Sequence, residues 1–139
     1  MIKAVEMIYH PLSRLNIQGE VLFNESMARH CSFKVGGPAD VFLRPQSRED
    51  LRKILGSIED DSVPIYPLGE GANVLVSDKG IRGIVIDMSA FRGVDIHGGE
   101  LSAEAGLSVS NAAEHAASAG LAGMAFLYAM PGSIGGSVW

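Results

Sequence analysis

The sequence predicts a single α+β domain, and three observations carry that expectation. The chain has 139 residues, 47% of them apolar and 19% charged. Its apolar residues recur at strand spacing in some stretches and at helix spacing in others. No internal repeat or low-complexity linker divides it. A domain near this size buries roughly two thirds of the surface its unfolded chain exposes, enough for one core and too little for a second full domain.

The elements follow in order. Residues 1–15 place Ile2, Val5, Ile8 and Tyr9 on one side of a short helix that Pro11 ends. Two runs rich in Val, Phe and Leu, Arg29 to Val35 and Asp40 to Arg44, flank Gly36-Gly37-Pro38 and read as two paired strands joined by a turn. Ser47 offers an N-cap, and Leu51, Ile54, Leu55 and Ile58 form one apolar stripe, which predicts a helix from about Arg48 to Glu59. Pro64 to Leu68, Asn73 to Ser77 and Gly83 to Asp87 read as short buried strands. Strand, helix, strand in this order is a small crossover unit. Val94 to Ala105 alternates apolar and polar residues about Gly98-Gly99, the pattern of a hairpin with one wet face. Ser108 caps a further helix carrying Val109, Ala112, Ala113 and Ala116 inward, with Gly120 at its end. The last segment, Leu121 to Trp139, is apolar and rich in glycine.

Charge and composition exclude several classes of function. A net charge of −5 with no cluster of Lys and Arg is a poor match for the polyphosphate surface of nucleic acid. No apolar stretch is long enough to span a bilayer. Glu6 and Pro11 interrupt the apolar residues near the start, which leaves no signal-peptide core. The lone Cys31 forms no internal disulfide and has no zinc-like partner, so the expected location is the reducing cytoplasm.

Two glycine loops stand out as candidates for chemistry. Gly69-Glu70-Gly71-Ala72-Asn73 follows a predicted strand, and its glycines let successive main-chain N–H groups turn inward as a nest for an anion such as phosphate. A tight strand connection without a ligand is the plainer alternative, and this loop alone does not separate the two. The loop departs from the dinucleotide fingerprint, since Val74 stands where the third glycine belongs and no helix follows. Pro131-Gly132-Ser133-Ile134-Gly135-Gly136 places Pro and Ser at a helix start, with glycines that admit a flat ligand close to the backbone. Each N–H given to an anionic oxygen contributes about 1.5 to 3 kcal/mol, so two such loops hold a pyrophosphate without a lysine.

Taken together, the motifs resemble the UDP-N-acetylenolpyruvoylglucosamine reductase family. The resemblance runs from Asn24 to Trp139: Asn24-Glu25, Ala28 to Asp40 with its Gly36-Gly37-Pro38, Leu68 to Val76, and Pro131 to Gly136. It implies an N-terminal segment over residues 1–23 and an FAD-binding domain over residues 24–139. The implied fold is the two-subdomain FAD-binding fold shared with vanillyl-alcohol oxidase and p-cresol methylhydroxylase. Carried over residue by residue, Leu68, Gly69, Glu70, Gly71, Ala72, Asn73, Val74 and Leu75 wrap the pyrophosphate of FAD. Pro131, Gly132, Ser133, Ile134, Gly135, Gly136 and Ser137 line the pyrophosphate and the flavin, with Gly36 and Ala105-Gly106 as further contacts.

The family's reaction takes hydride from NADPH through the flavin to the enolpyruvyl carbon of a UDP-sugar, in peptidoglycan synthesis. The resemblance also implies that the Ser, Arg and Glu completing the reaction come from downstream segments, so the expectation is an FAD-binding portion inactive by itself, truncated before the substrate domain. Other flavin oxidases or dehydrogenases and a non-catalytic nucleotide-binding module are the alternatives. The apolar C-terminal run predicts self-association. Ala72 stands where the family has Ser, and Cys31 where it has Thr, each the loss of one hydroxyl. His10, His30, His97 and His115 show no metal-ligand spacing, and Glu59-Asp60-Asp61 lacks calcium-loop partners. Ser133 has no His or Asp motif to activate it and reads as a cap, while Tyr128 and Trp139 read as packing aromatics.

Overall fold

The structure, a computed structural model, describes residues 10–58 and 62–139. Most of the helix expected over residues 1–15, and the acidic run at 59–61, lie outside the described residues. After Pro11 the chain makes one 3-10 turn, Leu12–Arg14, whose Leu12 is buried.

Four strands form the main sheet: β1 (Glu20–Ser26), β2 (Pro38–Arg44), β3 (Ile65–Leu68) and β4 (Ile81–Asp87), in the order β1-β2-β4-β3. Strands β2, β4 and β3 run parallel, and β1 closes one edge antiparallel to β2. The crossover from β2 to β3 is helix α1 (Arg48–Gly56), so the expected strand-helix-strand unit is present. A separate hairpin, β5 (Val94–His97) and β6 (Glu100–Ala103), turns at Gly98-Gly99, where both φ values are positive (57° and 90°), as a two-residue turn of this twist requires. Helices α2 (Val109–Ser118) and α3 (Ile134–Val138) complete the fold.

The central strands bury both faces, because α1 covers one side and loops cover the other. Val41, Leu43, Ile84 and Ile86 point toward Ile54 of α1, while Phe42 and Val85 point the other way toward Met27, Cys31, Leu68 and Val76. Near-continuous apolar runs are what such doubly covered parallel strands need. Each large side chain taken fully from water contributes about 1.5 to 3 kcal/mol.

Two expected strands are corrected. The partner of β2 is β1 and not Arg29 to Val35. Met27–Arg29 is a 3-10 turn, Lys34 has φ 56° and Gly36 has φ 131°, so the run cannot be extended. Met27 and Cys31 both enter the core from this irregular segment. Asn73 to Ser77 is likewise no strand. Val76 is buried and Leu75 is 74% exposed, so the alternation is real. Its ladder is missing, with Gly37 N–H to Ser77 O (2.9 Å) the bond that ties it to the 36–38 turn.

The helix boundaries follow their caps. Ser47 Oγ accepts Asp50 N–H at 3.1 Å to start α1, and the helix stops at Gly56, short of the expected Glu59. Leu55 is exposed, which narrows the expected stripe to Leu51, Ile54 and Ile58. Buried Asp50 accepts main-chain N–H groups of Gln18 (3.1 Å) and Gln46 (3.0 Å), fastening the N-terminal segment to the helix. Ser108 Oγ caps α2 through Asn111 N–H, and Gly120 takes φ 73° just beyond its end.

Candidate functional site

The site lies at the carboxyl ends of β3 and β4, the edge where open parallel sheets place their ligands. Leu68 ends β3 beside Asp87 of β4, and Met88 N–H donates to Leu68 O at 2.8 Å. The Gly69 to Asn73 loop leaves from there. The hairpin and α2 bring the Pro131 to Ser137 segment across from it: Val109 N–H donates to Gly132 O and Ile134 N–H to Leu107 O, around an antiparallel bridge between Ser108 and Ser133.

The two loops touch. A Cβ on Gly69 would lie 2.0 Å from Ser133 Oγ, so only glycine permits this approach. Gly71 has φ 63°, and a Cβ there would strike His30 O at 2.1 Å, while its own carbonyl accepts Ser32 N–H. Between the loops opens a cavity of about 540 Å³, within the roughly 300 to 1,000 Å³ common for cofactor sites. Of the first loop, Leu68, Gly69, Glu70, Gly71, Ala72, Asn73 and Val74 line it; of the second, Pro131, Gly132, Ser133, Gly135, Gly136 and Ser137 do. Leu75 points to solvent, and Ile134 faces a different groove with Leu101, Leu121 and Met124.

Four lining residues lay outside the two motifs: Pro67, Met88, Ala105 and Trp139. Ala105 carried a weaker signal as the strand end before Gly106. Pro67 and Met88 carried none, because only the β3 to β4 register brings them there. Gly106 itself is held against Met88 O, where a Cβ would lie at 2.0 Å, and Gly36 packs on Val76. Trp139 is 98% exposed and borders the cavity rather than packing into a core as expected.

The amides of the two loops differ. Among the described residues, the N–H groups of Gly69, Glu70, Gly71, Ala72 and Asn73 have no acceptor on the chain, which is the condition for a nest. The second loop departs from expectation. Ile134 N–H is used by Leu107 O, Gly135 N–H by Ala105 O, Gly136 N–H by Ser133 Oγ and Gly132 N–H by Glu70 Oε2. With only five residues, α3 also has little dipole to offer. The second loop therefore presents a flat, side-chain-free wall at Gly135-Gly136, while the first presents main-chain N–H groups that no acceptor of the described chain takes up. Ser133 is a buried cap, with Oγ engaged by Gly136 N–H.

The titratable groups nearby are structural. Burial pushes the Cys31 thiol up, with Lys34 opposing, so the thiol stays protonated. His30 stacks on Phe42 at 4.0 Å and its Nε2 lies 2.9 Å from Glu25. No group of three potential metal ligands occurs among the described residues, and none of their helices is long and apolar enough to cross a membrane.

Comparison with known proteins gives the following likenesses. Residues 39–139 match the family described as FAD binding domain. A curated UDP-N-acetylenolpyruvoylglucosamine reductase from Caldanaerobacter subterraneus subsp. tengcongensis is 41% identical over 133 residues, 96% of this chain and 44% of that protein. The solved UDP-N-acetylenolpyruvylglucosamine reductase from Thermus caldophilus superposes with a TM-score of 0.66 at 29% identity, over 88% of this chain and 41% of the other. The 6-hydroxy-D-nicotine oxidase from Arthrobacter nicotinovorans superposes with a TM-score of 0.58 at 22% identity, over 76% of this chain and 25% of the other, a likeness of fold alone. The chain thus spans less than half the length of the curated relatives it matches.

Proposed function

The chain belongs to the FAD binding domain family, on the fold of the vanillyl-alcohol oxidase type, and from that premise we propose that it supplies the flavin site of an NADPH-dependent reductase acting on UDP-N-acetylenolpyruvoylglucosamine. The observation that carries the reading is the convergence of two glycine loops, 62 residues apart, over one cavity. The amides of Gly69 to Asn73 would receive the pyrophosphate. Gly135 and Gly136 would let the flat ring lie against the backbone, and Ser133 would hold the two loops at their spacing. FAD, once bound, supplies the hydride relay. This chain's own part is to bind and orient it.

Likeness to the reductases from Caldanaerobacter and Thermus supports the choice of substrate. The reaction belongs to peptidoglycan synthesis in the cytoplasm. Phe126, Tyr128, Met130, Val138 and Trp139 of the last segment are exposed apolar side chains, through which the chain would self-associate.

Titrating FAD into the purified chain tests the central point. Near-stoichiometric uptake, with a shift of the visible flavin spectrum, is expected. A chain that leaves the flavin spectrum unchanged at saturating concentration overturns the reading.

A further inference from the structure

The glycine-lined cavity carries an acid of its own. Glu70 is exposed on the first loop, and its Oε2 accepts Gly132 N–H at 3.1 Å across to the second. A carboxylate oxygen there sits on a main-chain donor that faces the same cavity as the anion nest. Bonds from N–H to an ionised oxygen are among the strongest a loop can make, so an arriving phosphate and this carboxylate compete.

A second recess, of about 230 Å³, lies on the other side of the same loop and shares Leu68, Gly69 and Glu70 with the first. Arg29, His30 and Lys34 border it. Lys34 makes no salt bridge among the described residues, and Arg29 reaches Glu25 only at 3.6 Å. The other acid bordering the recess, Asp87, is already held by Arg44 Nε (2.9 Å) and Ser89 N–H (2.9 Å), so its charge does not satisfy Lys34. Glu70 therefore stands on a partition between an amide it now holds and a basic recess with charge to spare.

We infer that Glu70 is a displaceable plug, its carboxylate seated on Gly132 in the free protein and turned toward Arg29 and Lys34 when a cofactor phosphate enters. The inference rests on the cavity being the FAD site and adds an occupant that the cofactor must move. Displacing the plug subtracts from apparent affinity, since only the unplugged fraction is competent to bind.

FAD titration of the full chain, followed by flavin fluorescence, tests this against Glu70→Gln, Lys34→Gln and the double variant, with melting of each protein free of FAD. Removing the charge weakens the bond to Gly132, so Glu70→Gln binds FAD roughly three- to tenfold tighter. Its free form melts lower than the parent, because the tie between loops is weaker. Lys34→Gln loses affinity in the parent background and changes little in the Glu70→Gln background. Equal or weaker binding by Glu70→Gln, with the parent binding FAD, overturns the plug and leaves the flavin site standing. If neither protein binds FAD, the site assignment and the plug fall together.

Discussion

Gly69 and Ser133 set the distance between the two walls of the site, and the margin is small. In Gly69→Ala the new methyl would meet Ser133 Oγ at 2.0 Å; overpacking of this kind costs about 1 to 3 kcal/mol. The expected outcome is a lower urea midpoint together with a loss of FAD affinity of at least about tenfold, since the loops must separate. Asp50 contributes a dependence of stability on pH. The Gln46 N–H, then that of Gln18, hold its carboxyl below the ordinary value, with burial opposing. A depressed folded value means stability that is present above the unfolded value and lost as pH falls through the folded one. Asp50→Asn should therefore be less stable than the parent at neutral pH, with the gap in urea midpoint narrowing as pH drops below about 4. The glycines were legible in the sequence as sites of backbone freedom. Their neighbours were not, because Ser133 and His30 reach Gly69 and Gly71 only through the folded chain.

At the scale of elements, side-chain caps decided what could be read. Ser47, Ser108 and Ser133 each precede a helix, and each accepts the N–H three residues on, a bond written within four residues of sequence. Ser47→Ala should cost about 1 kcal/mol in urea denaturation while leaving FAD affinity unchanged, because Ser47 does not border the cavity. Strands were read less well, since a strand is defined by its partner. The run from Arg29 to Val35 has β-favouring residues but no ladder, and its buried Cys31, with Met27 just before it, fills the core from a loop. Edge strand β1 escaped notice because Phe23 and Asn24 are exposed and Asn24 has φ 55°, which breaks its alternation.

For the whole molecule, the two glycine segments were legible as a family pattern; the crossover through α1 sets the first at the end of the parallel sheet, and contacts with Ala105 to Val109 set the second across from it. The unequal supply of amides was beyond sequence reading. It depends on α3 docking its first N–H groups on Leu107 O and Ala105 O, a tertiary fact. The exposed apolar side chains between Phe126 and Trp139 predict that sedimentation velocity shows a concentration-dependent dimer, and that Phe126→Ser shifts it toward monomer; a parent that stays monomeric at the highest concentration rejects them as a self-contact. Trp139 is the sole tryptophan of the chain and borders the cavity. Indole emission overlaps the near-ultraviolet and blue absorption of an oxidised isoalloxazine, so the protein carries a built-in energy donor beside its acceptor's berth. Occupancy would register as dimming of that emission, with no label attached.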